Sequence, residues 1–260
     1  MEDEVIMRLE GNCAYITLNR VEKLNALNER VKELLIMYLR KCDKDQNIRS
    51  VVISGNGKAF CAGADIDNLH KIVLAQSIEE RDKMMGKNTI TEIGLIIRNI
   101  EKPVIAAIHG YCFGGGFELT QYCDMIYATE DALFSQPEIN IGIIPGGGGT
   151  QNLPRIAGEK ISKEMILTGE RISAIEAAKL RIVNRVFSSK NEMDLFVNNI
   201  VEKISLKSPM SVAYAKKALN MSFDMPIREG LFLERELIKT LYGSDYTKTL
   251  MESFLNKKKG

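Results

Sequence analysis

The chain has 260 residues, enough to bury a sizeable core in one large domain or two small ones. Hydrophobic content of 45% beside 27% charged residues is ordinary for a water-soluble globular protein, and the net charge of +1 argues against nucleic acid or an anionic membrane as partner. Cys13, Cys42, Cys61, Cys112 and Cys123 are odd in number and lack C-x-x-C spacing, which excludes a disulfide framework or zinc site and points to reduced thiols in a cytoplasmic compartment.

The acidic opening MEDEVIMRLEG lacks the pattern of a signal peptide, and no apolar run approaches the roughly 20 residues that span a bilayer. Two strands are expected around the Gly11-Asn12 turn, at 4–9 and 13–18. A helix follows, because Val31, Leu34, Leu35, Tyr38, Leu39 and Cys42 repeat at helical spacing on one apolar stripe. Ser50 to Ser54 reads as a short buried strand ended by Gly55-Asn56-Gly57, and Pro103 to His109 as another. Residues 72–100 are helical in pattern and Met-rich near Met84-Met85, with a break expected at Gly86. Asp124 to Ala128 and Ile182 to Phe187 are further strand candidates.

Ser173 to Glu176 is a capping box that opens a short helix, Ser208-Pro209 starts another, and Pro226 starts a last long one. Strand and helix thus alternate over the first ~190 residues, and the final ~55 are helical. The basic end Lys257-Lys258-Lys259 reads as a solvated tail. The fold class is α/β, with a core over 1–195 and a C-terminal helical region over 196–260.

Familiar sites fail on spacing. Gly114 and Gly116 begin a G-x-G pattern whose third glycine position is Leu119, and Gly146 to Gly149 is not followed by a P-loop lysine. No G-x-S-x-G elbow is present, and His70 and His109, the only histidines, offer little for a triad or a metal site. Both histidines, and Cys112 and Cys123 as small buried side chains, are read as structural.

Glycines and carboxylates remain. Glu118 follows Gly114-Gly115-Gly116, and Glu138 lies in Ser135-Gln136-Pro137-Glu138, with Pro145-Gly146-Gly147-Gly148-Gly149 just beyond. Each glutamate alone has a plain reading: Glu118 as a first-turn helix acid, Glu138 as an exposed loop residue. Together they suggest more. A glycine run between a buried strand and a helix frees backbone N–H groups to hold developing negative charge. Two carboxylates beside that charge suit proton and water handling next to a carbonyl.

The chain resembles the enoyl-CoA hydratases of the crotonase superfamily over essentially its whole length. The likeness rests on Asn19–Leu27 (NRVEKLNAL), Lys58–Ile66 (KAFCAGADI), Lys102–Ala107, Gly110–Asp124 (beginning GYCFGGGFEL), Gln136-Pro137-Glu138, and Ile143–Gln151 (IIPGGGGTQ). It implies a spiral of ββα repeats with a C-terminal α-helical trimerisation region, in homotrimers or dimers of trimers. The reaction implied is reversible addition of water to a trans-2-enoyl-CoA, giving a 3-hydroxyacyl-CoA. By position the oxyanion N–H groups fall to Ala64 and Gly115, and the catalytic pair to Glu118 and Glu138.

Lys23, Leu24, Ala26, Ala62, Gly63, Asp65 and Ile66, with Gly114, Pro137 and Gly146, fall where the family contacts CoA and substrate. Lys23 also reads as an ordinary surface lysine. No metal or separate cofactor is implied, since coenzyme A belongs to the substrate. Val21 stands where many relatives have proline, and the segment around 67–90 is where relatives accommodate the acyl tail. The alternative is an enoyl-CoA isomerase or another crotonase reaction that uses one glutamate. Some relatives bind RNA, but this chain lacks a basic stripe interleaved with aromatics.

Overall fold

The computed structural model describes residues 3–85 and 89–257. The break expected at Gly86 and the tail residues Lys258 and Lys259 lie outside them. In chain order the first part consists of β1 (Val5–Glu10), β2 (Cys13–Leu18), α1 (Glu29–Lys44), β3 (Ser50–Gly55), β4 (Ala59–Cys61), α2 (Ile66–Leu74), α3 (Ile78–Met85) and α4 (Ile90–Asn99). The middle part adds β5 (Val104–Ile108), β6 (Tyr111–Phe113), α5 (Gly115–Thr120), β7 (Met125–Thr129), β8 (Leu133–Ser135), α6 (Gly149–Ala157) and α7 (Glu159–Thr168). The chain then forms β9 (Ile172–Ser173), α8 (Ala174–Lys179), β10 (Arg185–Phe187), α9 (Lys190–Ser205), α10 (Pro209–Met221), α11 (Ile227–Tyr242) and α12 (Asp245–Lys257).

The strands build two sheets. A six-stranded sheet runs β1-β2-β3-β5-β7-β10, parallel except for the opening hairpin, and a four-stranded sheet runs β4-β6-β8-β9. The pairs β3/β4, β5/β6 and β7/β8 each place one strand in each sheet and step along both together. That is the spiral of ββα turns, and it makes β4, β6 and β8 parallel neighbours.

Burial explains why the central strands read as continuous apolar runs. Val51 and Ile53 of β3, with Ala106 and Ile108 of β5, face the main core. Val52, Ile105 and Ala107 point to the opposite face, where Tyr127, Phe187, Met193, Val197 and Val201 cover them. α9 supplies the last three aliphatic side chains of that cover and spans position 195/196, where the helical region was expected to begin.

Several boundaries differ from the sequence expectations. The helical stretch 72–100 is three helices, and α2 begins at Ile66 because the Asp65 side chain caps it. The single long helix expected from Pro226 is two, divided at Gly243-Ser244, where the Ser244 hydroxyl accepts from the Thr247 N–H at 3.2 Å. The strand expected over 182–187 is only Arg185–Phe187. The individual strands of the second sheet were not legible from residue periodicity, since β4, β6 and β8 have three residues each, too few to display a period. Among the described residues no helix is long and apolar enough to cross a membrane.

Candidate active site

The glycine run sits at the junction of β6 and α5. Gly114 has φ of 50° and ψ of −127°, a region closed to side-chain-bearing residues, and this turn starts α5. A Cβ there would also lie 3.1 Å from Glu138 Oε1, so the turn and the second carboxylate are already in contact. Gly63, at φ 102°, turns the chain in the same way after β4.

These two turns bring the expected N–H donors together. A Cβ on Gly63 would lie 3.6 Å from the Gly115 nitrogen, and one on Gly115 would lie 3.8 Å from the Ala64 nitrogen. Among the described residues neither the Ala64 nor the Gly115 N–H has a hydrogen-bond partner. Two adjacent, uncommitted backbone donors form a polar notch suited to an oxygen that gains negative charge.

The loop 20–27 is laced to the Ala64 side of the notch. Ala62 N–H donates to Leu24 O at 2.9 Å, Leu27 N–H to Gly63 O at 2.8 Å, and Asp65 N–H to Leu27 O at 3.2 Å. The lacing holds Leu24 and Asn25 at φ of 49° and 59°, left-handed values that non-glycine residues rarely adopt. Buried Asn25 offsets that strain. Its Oδ1 accepts from Arg20 N–H at 2.9 Å, and its Nδ2 donates to Asn56 O and Ala59 O at 2.9 and 2.7 Å.

Glu118 lies in α5, only 3% exposed. Its Oε1 accepts from the N–H groups of Gly147 and Gly149, both at 2.8 Å. Burial pushes its carboxyl up to about 7; the Gly149 N–H pulls it back, and the charge of Glu138 pushes it further up. Glu138 is presented by the short 3-10 turn Pro137–Ile141, with Pro137 at its first position. Burial raises Glu138 too, against a lowering bond from Gln136, whose Nε2 donates to both carboxylate oxygens at 3.1 and 3.3 Å. Glu118 Oε1 and Gln136 Nε2 each lie 3.1 Å from the point a Cβ on Gly149 would occupy, so both carboxylate assemblies border one glycine. The pair can hold one proton between a buried acid and its neighbour, beside the N–H notch.

The other expected residues divide into two groups. Ala62, Gly63, Ala64, Leu24 and Ala26 lie in the laced loops, Gly114 and Pro137 border Glu138, and Gly146 is exposed next to Gly147, which binds Glu118. Asp65 is committed elsewhere: its side chain caps α2 and pairs with Arg20, and although burial opposes it, these contacts hold the carboxyl below the ordinary range. Lys23 is exposed and pairs with Asp67 at 3.2 Å, and Ile66 is exposed at the start of α2. His109 is buried against Gly57 O, His70 is exposed, Cys112 is buried and Cys123 half-buried.

Sequence reading missed four supporting residues: Asn25, Gln136, Gln121, whose Nε2 donates to Gln136 Oε1 at 3.0 Å, and Tyr122, whose hydroxyl donates to Gly147 O at 2.9 Å. Gln136 stood two positions before the carboxylate it binds, and Asn25 stood in the quoted loop motif. The other two needed the fold to bring them near.

A model of the enoyl-CoA hydratase/isomerase family matches residues 8–260. The chain is 38% identical over 244 residues to a mitochondrial enoyl-CoA hydratase from Pongo abelii, covering 94% of this chain and 81% of that one. It is 34% identical over 259 residues to a short-chain-enoyl-CoA hydratase from Clostridium acetobutylicum, covering 99% and 96%. A crystal structure of an enoyl-CoA hydratase from Mycobacterium smegmatis superposes with a TM-score of 0.90 at 31% identity, covering 98% of this chain and 97% of that one.

Proposed function

The chain belongs to the enoyl-CoA hydratase/isomerase family, and on that premise we propose that it adds water reversibly to a trans-2-enoyl-CoA, through a backbone oxyanion notch and two glutamates. The observation that carries this reading is the meeting of Glu118 and Glu138 beside the unpartnered N–H groups of Ala64 and Gly115. An isomerase needs one proton carrier, whereas hydration needs a base for water and an acid for carbon, which favours hydration.

In this reading the thioester carbonyl accepts from the Ala64 and Gly115 N–H groups, which draws electrons from C3. Ionised Glu118 takes a proton from water as the water oxygen bonds to C3, and protonated Glu138 gives its proton to C2. The C2–C3 double bond becomes single, the enolate charge collapses back into the carbonyl, and a 3-hydroxyacyl-CoA leaves. Dehydration retraces the same path. Stabilising the developing oxyanion is worth roughly 10²–10³ in rate per donor. The laced segments 23–26 and 62–66 would line the CoA path.

The reading includes assembly of three copies or a pair of such trimers, supported by the exposed Leu219, Phe223, Leu231, Phe232 and Tyr242 on α10–α11 and the adjoining turn. Five free cysteines support a reducing, cytoplasmic setting. The test is loss of conjugated enoyl-thioester absorbance over short, medium and branched chains, with product analysis on 3-enoyl thioesters. Formation of a 3-hydroxyacyl-CoA supports hydration. Double-bond migration without water uptake would replace it with the isomerase reading. Light scattering reads the assembly.

A further inference from the structure

A second amide stands behind the one that binds Glu138. Gln121, at the C-terminal end of α5, is buried, and its Nε2 donates to Gln136 Oε1 at 3.0 Å. Gln136 is fully buried and in turn donates from Nε2 to both oxygens of Glu138. Three side chains thus form one line in which every donor points toward Glu138.

A glutamine amide is nearly symmetric in shape but opposite in polarity at its two ends. Nothing in the Gln136–Glu138 contact alone fixes which end faces the carboxyl: Nε2 serves an ionised carboxylate, and Oε1 serves a protonated one. The Gln121 N–H removes that freedom. It requires Oε1 of Gln136 on its own side, which leaves Nε2 for Glu138.

We propose that Gln121 is a positioning residue that locks the Gln136 amide with its N–H end toward Glu138, and so sets how readily Glu138 holds its proton. The inference rests on the reading of Glu138 as a proton carrier, and it concerns a residue that touches neither substrate nor carboxylate. Gln121 also lines a cavity of about 520 Å³ with Tyr122, Asn152 and Lys216, so side chains of similar length fit at position 121.

Losing the lock lets Gln136 turn its Oε1 to Glu138, which stabilises the protonated carboxyl. Gln121→Met removes the donor at nearly constant volume. Gln121→Glu goes further, since a carboxylate there draws the Gln136 N–H end away from Glu138.

The test measures kcat/KM against pH for the parent protein and both variants, with the four-carbon trans-2-enoyl-CoA as substrate. The alkaline limb, where Glu138 gives up its proton, is expected to move up by about one pH unit in Gln121→Met and at least as far in Gln121→Glu. The acid limb, set by Glu118, stays in place. Profiles that differ from the parent's only in height overturn the proposal. If Gln121→Met does not fold, Gln121→Glu decides alone.

Infrared titration of the Glu138 carboxyl band, identified by its loss in Glu138→Gln, provides a readout independent of turnover. Its midpoint rises in both variants if the lock exists and is unmoved if it does not. A parent protein that fails to hydrate the thioester would sink the functional reading while leaving this titration decisive for the amide lock.

Discussion

Tyr122 and Glu118 grip Gly147 from opposite sides: the Tyr122 hydroxyl donates to the Gly147 carbonyl at 2.9 Å, and the Gly147 N–H donates to Glu118 Oε1 at 2.8 Å. The tyrosine ring lies against Gly94 of α4, where a Cβ would come within 2.4 Å of it. One aromatic residue therefore fixes the glycine loop that holds the Glu118 carboxylate.

Tyr122→Phe keeps the ring and removes the bond. We expect kcat to fall roughly fivefold, the value of one buried hydrogen bond near 1 kcal/mol expressed in the barrier, with little change in melting temperature. Steady-state kinetics beside a thermal melt check this. A parent-like kcat would show that the loop holds its place without the hydroxyl.

Glu118→Gln and Glu138→Gln each remove a proton carrier at constant shape. Each is expected to lower hydration on the order of 10²-fold or more at unchanged secondary structure. Turnover near the parent level in either variant would end the two-carboxylate scheme.

In the proposed mechanism the productive pair carries one proton, on Glu138, with Glu118 ionised. Burial raises both carboxyls, and Glu118 to about 7. Glu118 must be ionised to act as the base, so kcat/KM is expected to rise with pH through about 7 and to fall at higher pH as Glu138 gives up its proton. A profile that climbs steadily to about pH 9 would contradict this assignment.

The same shift has a consequence for stability. The Glu118 carboxyl is raised above its unfolded value of 4.5, so its contribution is full below that value and is lost as pH rises through about 7. Glu118→Gln should therefore stabilise the fold at pH 8 relative to pH 5, by about 1–3 kcal/mol. Urea unfolding at the two pH values measures the difference, and equal effects would rule out a buried ionised Glu118.

Lys216 of α10 anchors the helical region to the core. Its Nζ donates to Ile97 O, Lys102 O and Asp124 Oδ2 at 2.8, 3.0 and 2.7 Å, and Asp124 Oδ2 also accepts from Val104 N–H. Lys216→Met leaves the partly exposed Asp124 carboxylate without its counter-charge and is expected to cost about 1.5–3 kcal/mol. Adding Asp124→Asn should recover much of the loss. A single variant as stable as the parent would show that the pair carries no net stability.

Much of this site was legible in the residues. Glu118 and Glu138 stood out as carboxylates beside glycine runs, and α1 and the central strands declared themselves by period. The second sheet did not, since three residues cannot show alternation. Gln121 and Tyr122 look like ordinary helix residues, because their role depends on Gln136 and Gly147, 15 and 25 positions away. The capping of α2 by the Asp65 side chain likewise became visible only in the fold.

Ala64 and Gly115 each follow a strand end, and those strands, β4 and β6, are parallel neighbours in one sheet. The separation of the two donors is thus inherited from the interstrand spacing of about 4.8 Å, which no side chain alters. Downstream of Ala64 the chain enters α2 and α3, whose Ile66, Val73, Leu74 and Ile78 are exposed. That segment is free to be rewritten, lengthened or shortened without changing the spacing of the two N–H groups. Under the proposed function, chemistry and selectivity then occupy separately inheritable parts of the same turn of the spiral.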